Sequence, residues 1–324
     1  MPKVSVIIPV YGVEKYIERC ARSLFEQTLE GLEFIFVNDC TPDNSINVLE
    51  TTLAEYPKRK SQVRIINIEQ NQGAAKAREI GIKAATGDYV IHCDSDDWVD
   101  CHIYEKLYNK AIQNNSDIVI CDMYESNGNT HTLYPQTVKS QKNSYLADLI
   151  SRATTCSLCN KLIARKVVQN TAIIPPTGHM LEDQLLCVQY VYWASTFSYL
   201  REPLYYYFVN PQSVCHHPSE DSCKKRAQES LANINSLLFF LEKHQMTTKY
   251  KNEIVRIKYT PRVFLWQFVL EKPNQYISIW KNIYPEINWQ YLFTKGVPFP
   301  LKLIFSLTLL RIYPCIYRIL KALK

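Results

Sequence analysis

The chain has 324 residues, of which 47% are hydrophobic and 21% charged, a balance that excludes a disordered, collagen-like or coiled-coil protein. The length suits one large domain or two ordinary ones. The net charge of +6 is unevenly distributed: 20 basic and 24 acidic residues precede residue 220, and 17 basic and 7 acidic residues follow from there, so we expect two parts with different tasks.

The N-terminus shows no signal-peptide pattern, because its first residues lead directly into an apolar run. Eleven cysteines are scattered through apolar contexts without the short spacing of secreted disulfide scaffolds, so we expect reduced thiols in the cytoplasm. Cys156 and Cys159 form one CxxC pair. Because no second pair follows it, buried thiols are favoured over a zinc site.

The first 125 residues alternate apolar runs of strand length with segments of helical periodicity. We expect strands at 4–8, 34–37, 63–68, 89–93 and 117–121, and helices at 16–25, from Thr41-Pro42 onwards, at 73–85 and around 103–111. Near-continuous apolar strands separated by helices are typical of a doubly wound sheet. The predicted fold class is α/β, with a Rossmann-like, mostly parallel sheet flanked by helices.

The second half of the chain changes character. Residues 126–145 are polar and predict a surface excursion, followed by a short helix near 145–151, a helix at 182–194 and strands at 196–200 and 204–208. From about residue 221 the pattern is helical and basic. We therefore predict an α/β domain over residues 1–215 and a helical, basic C-terminal region over residues 216–324.

The tail at residues 297–324 has five basic residues, no acidic residue and many large apolar ones. Its longest uncharged run, residues 303–310, is far shorter than the roughly 20 residues that span a bilayer. We expect Pro314 to kink a helix here. Two interpretations stay open: a terminal helix docked on the protein, and, favoured, an interfacial helix on an anionic inner leaflet.

The most informative motif is Asp94-Ser95-Asp96-Asp97, which directly follows the apolar run 88–93. Carboxylates crowded at the end of a buried strand repel one another, unless a divalent cation lies among them. The carboxyl ends of strands in open α/β sheets are also where ligands bind. The motif predicts a hard cation held by one or two carboxylates, with open positions for the phosphate oxygens of a nucleoside diphosphate.

Other polar landmarks follow the remaining strands and open two helices. They are Pro9, Tyr11 and Glu14 after the first strand, Asp39 after the second, Arg78 in the third helix, and Glu182 and Asp183 at the start of a later helix. Tyr11 can stack on a nucleobase or cover the core. Arg78 can bind a pyrophosphate or form a salt bridge with Glu79 or the acidic front.

Taken in chain order, the acidic motif and these four other landmarks resemble the family-2 glycosyltransferases of the GT-A fold. The resemblance is dense over residues 1–125 and thinner to about residue 215. The resemblance implies a nucleotide site of Pro9, Tyr11, Glu14, Asp39, Arg78, Asp94 and Ser95, with Asp39 on the base and Asp94 on the ribose. It implies Asp96 as the main ligand of Mg²⁺ or Mn²⁺, Asp97 as its assistant or orienter, Asp183 as the catalytic base and Glu182 beside the acceptor. The chain departs from the family at Cys40, where a glycine is usual.

The resemblance implies an inverting transfer from a nucleotide-diphospho-sugar. We expect a metal-dependent transfer of a hexose-type sugar, with UDP the favoured nucleotide. The basic tail motivates the hypothesis of a glycan or lipid-linked acceptor in cell-surface polysaccharide synthesis. The Gln-x-x-Arg-Trp motif of processive synthases is absent from the sequence, so one sugar per encounter is expected, and nucleic acid is not an expected partner. We expect a cytoplasmic protein, with contact to the inner membrane surface left open. The alternatives are a nucleotidyltransferase, which wants a Gly-rich basic loop where Pro9-Val10-Tyr11-Gly12 stands, and a non-catalytic, membrane-associated nucleotide-sugar-binding protein.

Overall fold

The structure, a computed structural model, describes residues 1–209 and 219–322. The predicted domain boundary at residues 215 and 216 lies outside the described residues. The described chain divides into two compact units. The sheet unit comprises residues 1–146, 154–175 and 186–209, and the helical unit comprises residues 147–153, 176–185 and 219–322.

The described strands all belong to the sheet unit. They are β1 Val4–Val10, β2 Leu32–Asn38, β3 Val63–Asn67, β4 Tyr89–His92, β5 Trp98–Val99, β6 Ile118–Ser126, β7 His131–Tyr134, β8 Lys161–Ala164 and β9 Phe197–Phe208. The helices before residue 200 are α1 Ile17–Phe25, α2 Ser45–Ala54, α3 Ala74–Ala84, α4 Ile103–Asn114, α5 Lys142–Ser151, α6 Arg165–Val168 and α7 Glu182–Trp193.

The sheet has the strand order β3-β2-β1-β4-β8-β6-β9-β5, with β7 paired to β6. β1 lies parallel to β2 and β4, and β2 lies parallel to β3, as the doubly wound pattern predicts. Beyond β4 the sheet is mixed, because β8 runs antiparallel to both β4 and β6 while β6 is parallel to β9. The predicted α/β class with a helical C-terminal region is confirmed.

Three local predictions about strands were wrong. The strands expected at 196–200 and 204–208 form the single strand β9, whose register to β6 shifts between Cys121 and Met123. β7 lies in the expected surface excursion, and all its residues are exposed, so it lacks the apolar alternation of a half-buried strand. β8 is fully buried but only four residues long and begins with Lys161, too short and too polar to recognise.

The second helix begins later than predicted. Thr41 and Pro42 precede it in a loop, and α2 starts at Ser45. The Asp43 carboxylate accepts hydrogen bonds from the Thr41 hydroxyl at 2.6 Å and the Ser45 hydroxyl at 2.5 Å. These bonds stabilise a loop conformation in competition with helix, as short polar side chains commonly do.

Two glycines set the position of α3. Gly73 precedes the helix with φ of 85°, a conformation that side-chain-bearing residues seldom adopt. Gly81 lets the helix lie directly on β1, because an added Cβ would lie 2.4 Å from Cγ2 of Ile7. The start of α3 is thereby brought to the carboxyl end of the parallel strands.

The helical unit is built mainly from the helices that follow residue 219. They are α8 Glu220–Lys243, α9 Lys251–Phe264, α10 Trp266–Glu271, α11 Pro273–Asn282, α12 Ile287–Phe293, α13 Phe299–Leu309 and α14 Ile312–Ala322. Their core includes Tyr276, Trp280 and Phe305. Arg262 is fully buried there, and its guanidinium donates hydrogen bonds to the carbonyl oxygens of Lys281 and Ile283.

The tail is bent, but not where the sequence predicted. The axes of α13 and α14 differ by 97°, and the break lies at Leu310 and Arg311. Pro314 lies in the first turn of α14, where proline is tolerated because the first N–H groups of a helix have no partner within it. Among the described helices none is alone long and apolar enough to cross a bilayer, and only this bent pair meets that criterion jointly.

Candidate active site

The predicted nucleotide-binding positions of the sheet unit follow neighbouring strands. β1 lies between β2 and β4, with Val10 opposite Asn38 and Ile7 opposite His92. Because these three strands are parallel, the segments that follow them leave the sheet at the same edge. Tyr11, Asp39 and Asp94 are therefore neighbours on one rim, as the sequence predicts.

Asp39 organises this rim. Its side chain is buried, and its two carboxylate oxygens accept hydrogen bonds from the backbone N–H groups of Gln72 and Gly73, both at 2.7 Å. The next residue, Cys40, has φ of 55°, the conformation that the usual glycine would adopt freely. Asp39 thus holds the loop that begins α3, and each of its oxygens keeps a lone pair for a further donor.

The loops after β1 and β2 are tied together by Asp43 and Glu14. The Asp43 carboxylate accepts from the backbone N–H of Glu14 at 3.0 Å, and the Glu14 carboxylate accepts from that of Asn44 at 3.2 Å. Burial opposes ionisation, but hydrogen bonds from Ser45, Thr41 and Glu14 lower the pKa of Asp43 to about 2. The structure therefore gives Glu14 a loop-fixing contact.

The other two residues of this loop differ in exposure. Pro9 lies within β1, opposite Val37, and is partly buried. Tyr11 keeps half of its surface exposed, which disfavours the alternative that it covers the core. An exposed aromatic ring at the strand ends is available for stacking on a flat ligand.

Arg78 and Asp94 form an ion pair inside the rim. Nη2 of Arg78 donates to Oδ1 of Asp94 at 2.7 Å, and the Sγ of Cys159 lies 3.3 Å from Oδ2. Burial opposes ionisation of Asp94, but the guanidinium and the thiol outweigh it and lower its pKa. Of the predicted alternative partners of Arg78, Glu79 pairs with Lys76 and Lys83, whereas Asp94, which belongs to the acidic front, forms the salt bridge.

Residues 94–97, which we call the acidic turn, form one tight turn in which the N–H of Asp97 donates to the carbonyl oxygen of Asp94 at 3.1 Å. Asp97 is buried, and its carboxylate accepts from the Tyr205 hydroxyl at 2.5 Å and the backbone N–H of Phe208 at 2.7 Å. Burial and the neighbouring carboxylates raise the pKa of Asp97 well above its usual range. Ser95, which lies between Asp94 and Asp96 in the sequence, is also buried.

Asp96 differs from its neighbours in the acidic turn. Within the described residues, its carboxylate is the one of the three that takes no hydrogen bond from another residue, although its backbone oxygen accepts from Arg19 at 2.8 Å. Burial and the charge of Asp94 raise the pKa of Asp96 to about 6. An ionised Asp96 is thus poorly compensated by the protein itself.

The carboxylates of the acidic turn are the candidate ligands of the predicted cation. Residues 1–209 and 219–322 contain no group of three or more His, Cys, Asp or Glu side chains that could hold a metal ion. Of the CxxC pair, Cys159 is buried and Cys156 is partly exposed. A single carboxylate with hydrogen-bonded neighbours still fits Mg²⁺ or Mn²⁺, because such ions are commonly held by one or two carboxylates together with substrate phosphates and water.

Glu182 and Asp183 occupy the first two positions of α7, where negative charge is favourable near a helix N-terminus. Both belong to the helical unit, whereas the acidic turn belongs to the sheet unit. The roles of Asp183 as the catalytic base and of Glu182 beside the acceptor therefore stay predictions.

Sequence reasoning missed several contacts to the acidic turn. They come from Arg19, Cys159, Tyr205 and Phe208, which lie 65 to 111 residues from their partners. No local pattern connects such distant positions. The run of three tyrosines at 205–207 was visible only as strand-like sequence.

The chain was compared with known families and curated proteins. The family described as "Glycosyl transferase family 2" matches residues 5–179. The putative glycosyltransferase EpsH of Bacillus subtilis is 30% identical over 261 residues, covering 78% of this chain and 73% of EpsH. The poly(ribitol-phosphate) beta-N-acetylglucosaminyltransferase TarP of Staphylococcus aureus is 28% identical, covering 79% of this chain and 80% of TarP.

Two solved structures share the fold. S. aureus TarS 1-349 in complex with UDP superposes with a TM-score of 0.67 at 18% identity, covering 99% of this chain and 92% of that one. The Pyrobaculum calidifontis mannosyltransferase PcManGT, in complex with GDP-Man and Mn²⁺, has a TM-score of 0.57 at 13% identity, covering 99% and 83%. At such identities the likeness shows the fold alone. The family match and the similarity to EpsH carry the assignment: this chain belongs to glycosyl transferase family 2.

Proposed function

We propose that this glycosyltransferase is an inverting enzyme that moves a single hexose-type sugar from a UDP-sugar to a hydroxyl of a glycan or lipid-linked acceptor in cell-surface polysaccharide synthesis. The observation that carries the proposal is the acidic turn. Its Asp94 is paired with Arg78 and its Asp97 is hydrogen-bonded, which leaves Asp96 for a cation. TarP, which is named as a beta-N-acetylglucosaminyltransferase, and TarS, which was solved in complex with UDP, support a UDP-sugar as the donor.

The residues divide the work by their chemistry. Asp96 would hold Mg²⁺ or Mn²⁺, which when bound supplies positive charge for the departing diphosphate. Tyr11 stacks on the base, and Asp39 accepts a hydrogen bond from it with a remaining lone pair. The Arg78–Asp94 pair binds the ribose and diphosphate side of the nucleotide.

Inversion requires a base that removes the proton of the acceptor hydroxyl while the sugar carbon is attacked from the face opposite the diphosphate. We assign this proton transfer to Asp183 and the shaping of the acceptor site to Glu182. The new glycosidic bond forms as the bond to the diphosphate breaks, and the proton passes to the carboxylate.

A binding and turnover screen tests the proposal. UDP-glucose, UDP-galactose, UDP-GlcNAc and GDP-mannose are titrated with Mn²⁺ or with EDTA, and nucleotide release from the tightest binder is then followed. We expect a UDP-sugar to bind best, only with Mn²⁺, and to be slowly hydrolysed. Preference for a nucleoside triphosphate would favour a nucleotidyltransferase, and tight binding without any turnover on candidate acceptors a non-catalytic protein.

The tail supports a second part of the proposal, contact of a cytoplasmic enzyme with the anionic inner membrane surface. Large apolar side chains are exposed on α13 and α14, among them Phe299, Ile319 and Leu320, next to exposed Arg311 and Arg318. Apolar and cationic side chains together match the interface of an anionic bilayer. No acidic residue in 297–324 would oppose this contact.

Vesicle sedimentation tests the membrane contact. We expect the chain to bind vesicles rich in phosphatidylglycerol, to bind phosphatidylcholine vesicles weakly, and to release at high salt because exposed charges are screened. Ile319→Glu should weaken binding severalfold, whereas the same change at exposed Ile112 on α4 should not. Equal binding by both variants would contradict the contact.

A further inference from the structure

The hydroxyl of Tyr205 joins the two ends of the acidic turn. Tyr205 lies on β9 and is 1% exposed. Its hydroxyl donates to Oδ2 of Asp97 at 2.5 Å and accepts from the backbone N–H of Asp94 at 3.1 Å. One atom of a distant strand therefore spans the first and the last residue of the turn.

The second oxygen of Asp97 is bound by the same strand. The backbone N–H of Phe208 donates to Oδ1 at 2.7 Å. Both carboxylate oxygens of this buried acid are thus directed at β9. An acid so engaged is a poor candidate for a metal ligand, since metal binding would displace strong hydrogen bonds.

Further contacts restrain the backbone of the turn. The Asp94 carbonyl oxygen accepts from the N–H of Asp97, and the Asp96 carbonyl oxygen accepts from Arg19. The guanidinium of Arg19 lies over the ring of Trp98, 3.8 Å from its centroid. Of the three carboxylates in the acidic turn, that of Asp96 is the one that accepts no hydrogen bond from another described residue.

We propose that Tyr205 is a positioning residue for the cation, which acts through Asp97 and holds the acidic turn in the shape that presents Asp96. This inference rests on the proposed metal-dependent transfer and adds to it a residue outside the acidic motif. A metal ion binds more tightly to a carboxylate that is already held in position, because the contacts that hold the carboxylate are made before the ion arrives.

The decisive measurement is the Kd of Mn²⁺ for the full chain at saturating UDP, followed by the loss of the free Mn²⁺ signal in electron paramagnetic resonance. Tyr205→Phe keeps the ring and removes only the hydroxyl. We expect the Kd to rise about tenfold, the range found when outer contacts of metal ligands are removed. The melting temperature of each variant shows that the folded protein is being compared.

Tyr104→Phe is the matched control. Tyr104 is also fully buried, but within the described residues its hydroxyl has no hydrogen-bond partner. The same chemical change should therefore leave the Kd of Mn²⁺ unchanged. A rise of equal size in both variants would show a general packing effect and overturn the proposal.

Asp97→Asn tests the route. If Tyr205 acts through Asp97, the double variant with Tyr205→Phe should bind Mn²⁺ no more weakly than Asp97→Asn alone. Additive losses would overturn that route. Asp96→Asn separates the two proposals: if it abolishes Mn²⁺ binding while Tyr205→Phe changes nothing, the positioning role alone fails. If Asp96→Asn also changes nothing, the proposed metal site fails as well.

Discussion

Nη2 of Arg78 lies 2.7 Å from Oδ1 of Asp94, and only 7% of the arginine side chain is exposed. This ion pair joins helix α3, which carries Arg78, to the acidic turn after strand β4, which carries Asp94. Breaking a buried pair leaves one charge uncompensated, which costs several kcal/mol.

Replacement of Arg78 should therefore affect both stability and nucleotide binding. We expect Arg78→Ala to lower the free energy of unfolding by about 2–4 kcal/mol and to weaken UDP binding about tenfold. Lys76→Ala, which removes a more exposed pair with Glu79, should cost less than about 1 kcal/mol. Urea unfolding and calorimetric titration measure the two effects. Similar losses for both variants would argue against a special role of Arg78.

The stability of the metal-free protein should depend on the charge of Asp96. Its pKa is about 6 in the folded chain against 3.8 ordinarily, so the folded state binds this proton more tightly than the unfolded state. This site's contribution to stability therefore falls as pH rises from about 4 to 6 and stays low above that. We expect Asp96→Asn to raise the free energy of unfolding of the metal-free protein at pH 8 by up to about 3 kcal/mol, and not at pH 4, as urea unfolding at the two pH values would measure.

The same variant should lose its response to metal. Mn²⁺ with UDP should raise the melting temperature of the unaltered chain at pH 8, and less at pH 5, where protons compete for Asp96. Asp96→Asn should show no such rise at either pH. Asp88→Asn, at an exposed position before β4, is the control and should behave like the unaltered chain.

Asp183 should be required for transfer but not for donor binding. We expect Asp183→Asn to reduce the transfer rate about 10²- to 10⁴-fold, the usual contribution of a general base, while the Kd of UDP changes less than twofold. Glu182→Gln serves as the neighbouring control and should retain more activity. Unchanged transfer by Asp183→Asn would remove it as the base.

Cys40 should be a position where glycine stabilises the protein. Its φ of 55° disfavours a side chain, so we expect Cys40→Gly to raise the free energy of unfolding by up to about 1 kcal/mol. At Cys101, which is exposed and has no positive φ, the same substitution should be neutral or destabilising. Thermal unfolding of the two variants decides between these outcomes, and equal effects would contradict the prediction.

Arg262 should be essential to the helical unit. Its fully buried guanidinium donates to the carbonyl oxygens of Lys281 and Ile283 and lies 4.7 Å from the Trp280 ring centroid. We expect Arg262→Ala to cost about 3–5 kcal/mol, because it leaves a cavity and buried carbonyl groups without donors. Lys258→Ala, on the same helix at a partly exposed pair with Glu286, should cost under about 1 kcal/mol. Tryptophan fluorescence during urea unfolding reports the difference.

The sequence alone determined the parallel half of the sheet, the family and the rim of Tyr11, Asp39 and Asp94. These follow from local information, since a buried parallel strand is a continuous apolar run and its next residues must emerge at one edge. Asp43 illustrates the limit of such information: Thr41-Pro42 predicted an earlier helix start, but hydrogen bonds from the Thr41 and Ser45 hydroxyls to Asp43 stabilise a loop instead.

Tertiary structure decided which carboxylate of the acidic turn accepts no hydrogen bond from another described residue. The family resemblance implied different roles for Asp94, Asp96 and Asp97, but the partners that distinguish them, Arg78 and Tyr205 on β9, come from distant parts of the chain. The buried β8 was decided in the same way, by pairing with β4 and β6. Local periodicity carries no record of such partners, because it depends on which face of an element is buried and not on what covers it.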